Sequence, residues 1–192
     1  MSAIRTFIAI DLPGSMLDKL DAIIEQLKHD SNGIVRWVPA HNIHLTLKFL
    51  GDISPANIQI LCTILEAEVR RHSPFEFVVS GLGAFPSSRR PRVIWVGVQA
   101  PETLAILHSG IENEARKIGY APEERPFSPH LTLGRVGHNA RPEEIRQLSN
   151  SLVNYKVGTL GTVKVDSLCL YRSDLKPGGA VYTPLFRCAL QS

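Results

Sequence analysis

Apolar and polar positions divide the chain into short elements of two periods. Phe7-Ile8-Ala9-Ile10 reads as a buried strand closed by Pro13-Gly14. Met16, Leu20, Ile23, Ile24 and Leu27 then recur at helical spacing, with Ser15 as the expected cap. Arg36-Trp37-Val38 reads as a brief strand ended by Pro39, and a longer strand runs from about Ile43 to Leu50. Ser54-Pro55 opens a second helix whose inner side is Ile58, Leu61, Leu65 and Val69. Phe75 to Val79 returns as a strand, and Gly83 to Arg92 reads as a connector. Val93 to Val96 is the next strand, and Pro101 begins a helix with Leu104, Leu107, Ile111, Ala115 and Ile118, stopped at Gly119. A loop with Pro122, Pro126 and Pro129 leads to a strand at His130, and Pro142 opens a shorter helix with Ile145, Leu148 and Leu152. The last strands are expected at about Val163 to Tyr171 and Ala180 to Ala189.

One phrase occurs twice. His44-Leu45-Thr46-Leu47 and His130-Leu131-Thr132-Leu133 each begin an apolar run with a glycine seven positions after the histidine, Gly51 and Gly137. The offset between the histidines (130 − 44 = 86) equals that between the strands at Phe7 and Val93 (93 − 7 = 86), with helices in the same order between. That regularity points to an internal duplication. The expected architecture is α+β: a single bilobal domain over residues 1–192, with repeat halves about 4–83 and 93–172. Each lobe carries a mostly antiparallel sheet backed by helices, and the final strand is free to cross back to the first half. Two related halves about an approximate two-fold axis would turn both polar strand faces toward one cleft.

Composition narrows the class. The chain has 192 residues, 44% hydrophobic and 20% charged, which suits a folded domain rather than a disordered one. No apolar run approaches the roughly 20 residues that span a membrane, and the first residues read as a strand meeting Asp11 early rather than a secretion signal. Cys62, Cys169 and Cys188 are odd in number and apolar in setting, which favours reduced core thiols and a cytoplasmic protein. A net charge of +3 and pI near 8.9 suit an anionic substrate but fall short of a duplex-binding surface. The densest basic stretch, Arg89-Arg90-Pro91-Arg92, is either a solvated turn or a phosphate-contacting loop.

Side chains alternate along a strand, so His44 and Thr46 share one face, as do His130 and Thr132, with the leucines behind them. Two imidazoles and two hydroxyls without matching carboxylates suit acid–base chemistry on a phosphate. A neutral imidazole acts as base and a charged one as acid near neutral pH, while threonine hydroxyls donate to non-bridging oxygens. No metal is required, and threonine is a poor partner for two histidines in a zinc site. Gly81-Leu82-Gly83 lacks the third glycine and helix of a dinucleotide loop, since Pro86 stands there. No phosphate-binding Gly-Lys-Ser/Thr loop or Gly-x-Ser-x-Gly elbow is present. His29, His41, His72, His108 and His138 lack the strand context, although His41 and His138 lie near the motifs. Lys48 shares the parity of His44 and either contacts phosphate or reaches solvent. Phe49 beside it is a further candidate for substrate contact.

Taken together, the two His-x-Thr motifs, Phe-Ile-Ala-Ile-Asp-Leu-Pro near the start and Leu-Tyr-Arg-Ser near the end resemble the 2H phosphoesterase superfamily. Within it the chain is most similar to the RNA 2′,3′-cyclic phosphodiesterases, also called 2′-5′ RNA ligases. The likeness includes Trp37-Val38-Pro39, Lys48-Phe49-Leu50-Gly51, Gly81 to Pro86, Pro129 to Arg135 and Gly179 to Tyr182. The resemblance implies a bilobal fold with a V-shaped cleft and hydrolysis of a 2′,3′-cyclic phosphate to a 2′-phosphomonoester without cofactor. It implies His44 as proton donor, His130 as proton acceptor, and Thr46, Thr132 and Arg135 as phosphate ligands. It also implies 2′-5′ joining by reversal, and RNA or an oligonucleotide with a cyclic-phosphate end, such as one derived from tRNA, as partner. A non-catalytic RNA-end binder and an enzyme for another cyclic phosphoester, such as ADP-ribose 1″,2″-cyclic phosphate, are the alternatives. A monomer is expected, because the duplication supplies both half-sites. Strand parity sets Arg135 on the side of Leu131 and Leu133, so it joins the site only if a bulge or strand end at Gly134 re-aims it.

Overall fold

The computed structural model describes residues 3–177 and 179–191. Among these the chain runs β1 (Ile4–Ile10), α1 (Gly14–Asp30), β2 (Val35–Trp37), β3 (Leu45–Ile53), α2 (Ile58–Val69), β4 (Phe75–Ser87) and β5 (Arg90–Gln99). It continues through α3 (Glu102–Lys117), β6 (His130–Val136), α4 (Pro142–Asn154), β7 (Thr159–Val165), β8 (Ser167–Lys176) and β9 (Gly179–Ala189). The helices bury the residues that their spacing selects: Met16, Leu20, Ile23, Ile24 and Leu27 in α1, and Leu104, Leu107, Ile111 and Ala115 in α3.

The fold is α+β, with two four-stranded halves fused edge to edge. The strand order is β7-β4-β5-β6-β3-β1-β8-β9, all neighbours being antiparallel, and β2 pairs separately with β6. Two sheets are thus one continuous sheet, joined by the pairing of Leu45 with Leu131. Helices α2 and α3 pack on the half containing β3, and α1 and α4 on the half containing β6. Strand β4 comes early in the chain yet pairs with β5, while β8 and β9 return to β1. Spatial halves and sequence halves therefore hold different strands: the β6 half takes β4 from the first stretch of chain, and the β3 half takes β8 and β9 from the second.

Three local expectations change. The strand expected from Val163 to Tyr171 is broken at Asp166 into β7 and β8, which lie in different halves of the sheet. The expected connector from Gly83 to Arg92 is itself paired, as the end of β4 and the start of β5. Helix α1 begins at Gly14 with Pro13 at its cap and no side-chain capping bond, so Ser15 does not cap it. Ser54 does accept from the Ala56 amide at 3.4 Å, but it caps a 3-10 turn, Pro55–Asn57, that runs into α2. Gly81-Leu82-Gly83 lies within β4, where a methyl group at Gly83 would overlap the Trp95 ring. Its glycine is there to admit an indole, not a dinucleotide. Cys62, Cys169 and Cys188 are buried and free, and no helix is long and apolar enough to cross a membrane among the described residues.

Candidate active site

Leu45 and Leu131 are each fully buried, and antiparallel running through their bridge brings Thr46 abreast of His130 and His44 abreast of Thr132. The two motifs thus meet, polar faces on one side of the sheet. His44 accepts a fixed setting from its own loop: Nδ1 donates to the Asn42 carbonyl at 2.8 Å. His130 repeats this, with Nδ1 donating to the Ser128 carbonyl at 2.7 Å. A carbonyl can only accept, so both rings carry hydrogen on Nδ1 and present Nε2 to a ligand. Neither threonine hydroxyl is engaged by another protein group among the described residues.

Aromatic rings hold the two imidazoles differently. His44 stacks on Phe7 at 4.6 Å and meets the edge of Tyr182 at 5.2 Å. Phe7 stacks in turn on Tyr171, whose hydroxyl donates to Asp11 at 2.7 Å. Arg187 holds the other Asp11 oxygen at 2.5 Å. His130 instead meets the edge of Phe85 at 4.9 Å and lies near Trp95. Burial is the main influence on both imidazoles and lowers both below the ordinary histidine value. Smaller charges act in opposite senses: Asp11 favours the charged form of His44, whereas Arg135 favours the neutral form of His130. Burial and the bond to Asp11 push the Tyr171 phenol well above its usual range.

A bulge decides the remaining candidates. Between Trp95–Thr132 and Ile94–Gly134 the register slips, leaving Leu133 unpaired. Arg135, opposite Val93, consequently shares the face of His130 and Thr132, so the re-aiming occurs one residue before Gly134. β3 carries the same slip, leaving Leu47 unpaired between Thr46–Ala9 and Lys48–Ile8. Phe49 then faces the cleft opposite Phe7 and is 61% exposed. Lys48 goes to the other face, contrary to its parity with His44. It is 4% exposed, pairs with Glu112 of α3 at 2.7 Å and donates to the Ala121 carbonyl at 3.0 Å. Neither expected role fits: it does not reach solvent, and its ammonium is already neutralised.

Thr46, Phe49, His130 and Arg135 line one cavity of about 980 Å³, whose wall also reaches the Lys48–Glu112 pair. His44 and Thr132 stand beside it rather than on its wall. Residues outside the sequence-derived set join the site. Arg36 pairs with Arg135 across β2 and β6, and Arg5, Arg36 and Arg135 together surround the Tyr182 phenol with positive charge. Arg36 was legible as the polar position between Val35 and Trp37. Tyr171, Tyr182 and Asp11 stand inside recognised motif strings, but their role depends on strand pairing across the chain. His41 is exposed in a 3-10 turn and His138 is exposed beyond β6. Among the described residues no group of three or more His, Cys, Asp or Glu side chains is arranged to hold a metal ion.

The family model for LigT-like phosphoesterases matches residues 10–95 and again 96–182. An RNA 2′,3′-cyclic phosphodiesterase of Methanothermobacter thermautotrophicus is 35% identical over 95% of this chain and 96% of its own length. A solved protein of Thermus thermophilus superposes with a TM-score of 0.81 at 26% identity, covering 97% of this chain and 98% of that one. Escherichia coli LigT solved with 3′-AMP gives a TM-score of 0.75 at 29% identity, covering 99% of both chains.

Two outcomes follow from this geometry. Glu112→Ala strands the Lys48 ammonium in the interior and should cost about 3–5 kcal/mol. Urea unfolding measures that loss, and the Lys48→Met/Glu112→Leu double variant should recover most of it. In an NMR titration both motif imidazoles should titrate below the ordinary histidine range. Asp11→Asn should lower His44 further while leaving His130 in place, because only His44 gains from that carboxylate.

Proposed function

The chain belongs to the LigT-like phosphoesterase family, and on that premise we propose that it hydrolyses the 2′,3′-cyclic phosphate end of RNA to a 2′-phosphomonoester. The observation that carries this reading is the bridged pair of His-x-Thr strands, each histidine held through Nδ1 with Nε2 free. Relatives bearing the name RNA 2′,3′-cyclic phosphodiesterase support the substrate.

In this mechanism water attacks phosphorus on the side away from the 3′ oxygen. His130 Nε2 takes the proton of the attacking water as the new P–O bond forms. The P–O3′ bond breaks, and the His44 imidazolium delivers its Nε2 proton to the departing oxygen. The local charges favour this split of roles, Asp11 supporting a charged His44 and Arg135 a neutral His130, against a burial that lowers both. Thr46, Thr132 and Arg135 donate to the non-bridging oxygens, where charge grows in the transition state. Phe49 offers an exposed ring beside them for the terminal nucleoside. The protons pass only between imidazoles and substrate, so the scheme runs without metal. Reversal, with a ribose hydroxyl in place of water, gives a 2′-5′ linkage.

His44→Ala and His130→Ala should each lower kcat by about 10²–10⁴-fold on a nucleoside 2′,3′-cyclic phosphate, assayed with chelator present. Thr46→Val or Thr132→Val removes one hydrogen bond to a charged group and should cost only about 10–100-fold. Circular dichroism checks that folding survives, and full activity in either histidine variant would sink the scheme. The kcat/KM profile should be a bell lying on the acid side of neutrality. It rises as His130 loses its proton and falls as His44 loses its own, and burial lowers both midpoints.

A further inference from the structure

The arginine-rich stretch between β4 and β5 takes no part in the chemistry above, yet its register ties it to the same face. The two strands end in a tight hairpin whose last pair is Ser87 with Arg90, leaving Ser88 and Arg89 at the tip. Phe85 pairs with Val93 but Pro86 pairs with Pro91, so Arg92 is the extra residue of a bulge. That slip returns Arg90 to the face of Phe85 and Val93. Val93 also pairs with Arg135, and Arg135 with Arg36, so Arg90 continues an arginine-bearing face outward from the histidines. It lies two pairs beyond the Val93 row, about 7 Å at ~3.4 Å per residue. The cavity holding His130 and Arg135 is also lined by Pro86 and Arg92 of the hairpin stem.

Among the described residues these charges have no acidic partner, and only Arg92 is otherwise engaged, donating to the Gly137 carbonyl at 3.5 Å. Arg89, Arg90 and Arg92 are exposed, and among the described residues none of them forms an ion pair with a carboxylate. Arg70, Arg71, Arg141, Arg172 and Arg187 do pair with carboxylates. Arg116 and Arg146 are exposed and, among the described residues, unpaired like the hairpin arginines, so it is the hairpin's place on the face of the histidines that sets it apart. An unpaired guanidinium keeps its whole donor fork for a phosphate. In the loop before β6, Glu123 and Glu124 outnumber Arg125 on the cavity wall, so that side carries net negative charge and the hairpin net positive.

Resting on the reading of the preceding section, we propose that Arg89 and Arg90 form an extension site for the internucleotide phosphates of a single-stranded RNA tail whose cyclic end lies at the histidines. The protein then favours an oligonucleotide over a mononucleotide. With two arginines and a net charge of only +3, the tract fits a few phosphates of one strand rather than a duplex.

The test compares a cyclic-ended oligoribonucleotide with a nucleoside 2′,3′-cyclic phosphate in wild type and Arg89→Ala/Arg90→Ala. Kinetic constants are taken from low to moderate salt. Two phosphate contacts to a single strand give a log–log salt slope of about −1.4, or about sevenfold between ~50 and ~200 mM. The double variant should lose about that factor on the oligonucleotide at low salt, with a flatter slope, while the mononucleotide changes less than about twofold. Equal losses on both substrates, or no loss on either, would overturn the extension site. Titration with an oligonucleotide ending in a 2′-phosphate reads the same contacts without turnover. If neither substrate is hydrolysed, the proposed reaction fails while the titration still judges the hairpin. Unchanged affinity in the double variant, or tighter binding of a duplex than of the strand, removes it.

Discussion

One backbone bridge, Leu45 to Leu131, carries the organisation of this molecule. The two leucines occupy the same place in the two repeats, so their pairing is made across a local two-fold relation rather than between unlike strands. Both side chains are fully buried, which fixes the register, because a slip by one residue would expose a leucine on one strand and bury a histidine in its place. With the leucines inward, the residues on either side face outward together. Two copies of a short motif thus become a cluster of two imidazoles and two hydroxyls without any further device to align them.

The bulge next to each motif is the second constraint, and the duplication repeats it: Leu47 in β3 and Leu133 in β6 are both unpaired. Identical backbone events have unlike consequences because the side chains that follow differ. In β3 the slip turns Lys48 against α3 and Phe49 outward. In β6 it turns Arg135 outward and leaves Gly134 inward, where a Cβ would approach Val35 to 2.7 Å and Trp37 to 2.8 Å. The absence of a side chain there admits β2 against β6, and with it Arg36 beside Arg135. A glycine on one side and a buried lysine on the other are what make the halves unequal at this level.

The legible part of the sequence was its local periodicity. Alternation around His44 and His130 named the polar face, and helical spacing selected the buried residues of α1 and α3, because both signals depend only on neighbours a few positions away. Parity beyond Thr46 misled for Lys48 since the bulge falls among Leu45, Leu47 and Leu50, where every choice of register still buries a leucine. The same ambiguity hid the break at Asp166, which has apolar residues on both sides and parts strands that end far apart. That the last strand could cross back was open from the sequence, but its route through β8 was not: antiparallel pairing of β1 with β8, 160 residues from Asp11 to Tyr171 along the chain, leaves no local pattern.

A duplicated fold begins with two equivalent histidines, and acid–base chemistry on one phosphate is served better by unlike ones. The structure breaks the equivalence with single charged residues that lack a counterpart in the other repeat. Asp11 corresponds to Gly97, and Arg135 corresponds to Phe49. Each charge acts on the histidine of its own half: the carboxylate supports a proton on His44, and the guanidinium opposes one on His130. Asp11 is itself held by Tyr171 and Arg187 on strands that return from the far end of the chain. The part of the difference that comes from Asp11 is therefore supplied by the strand exchange, since the strands that hold this carboxylate come from the other stretch of the chain.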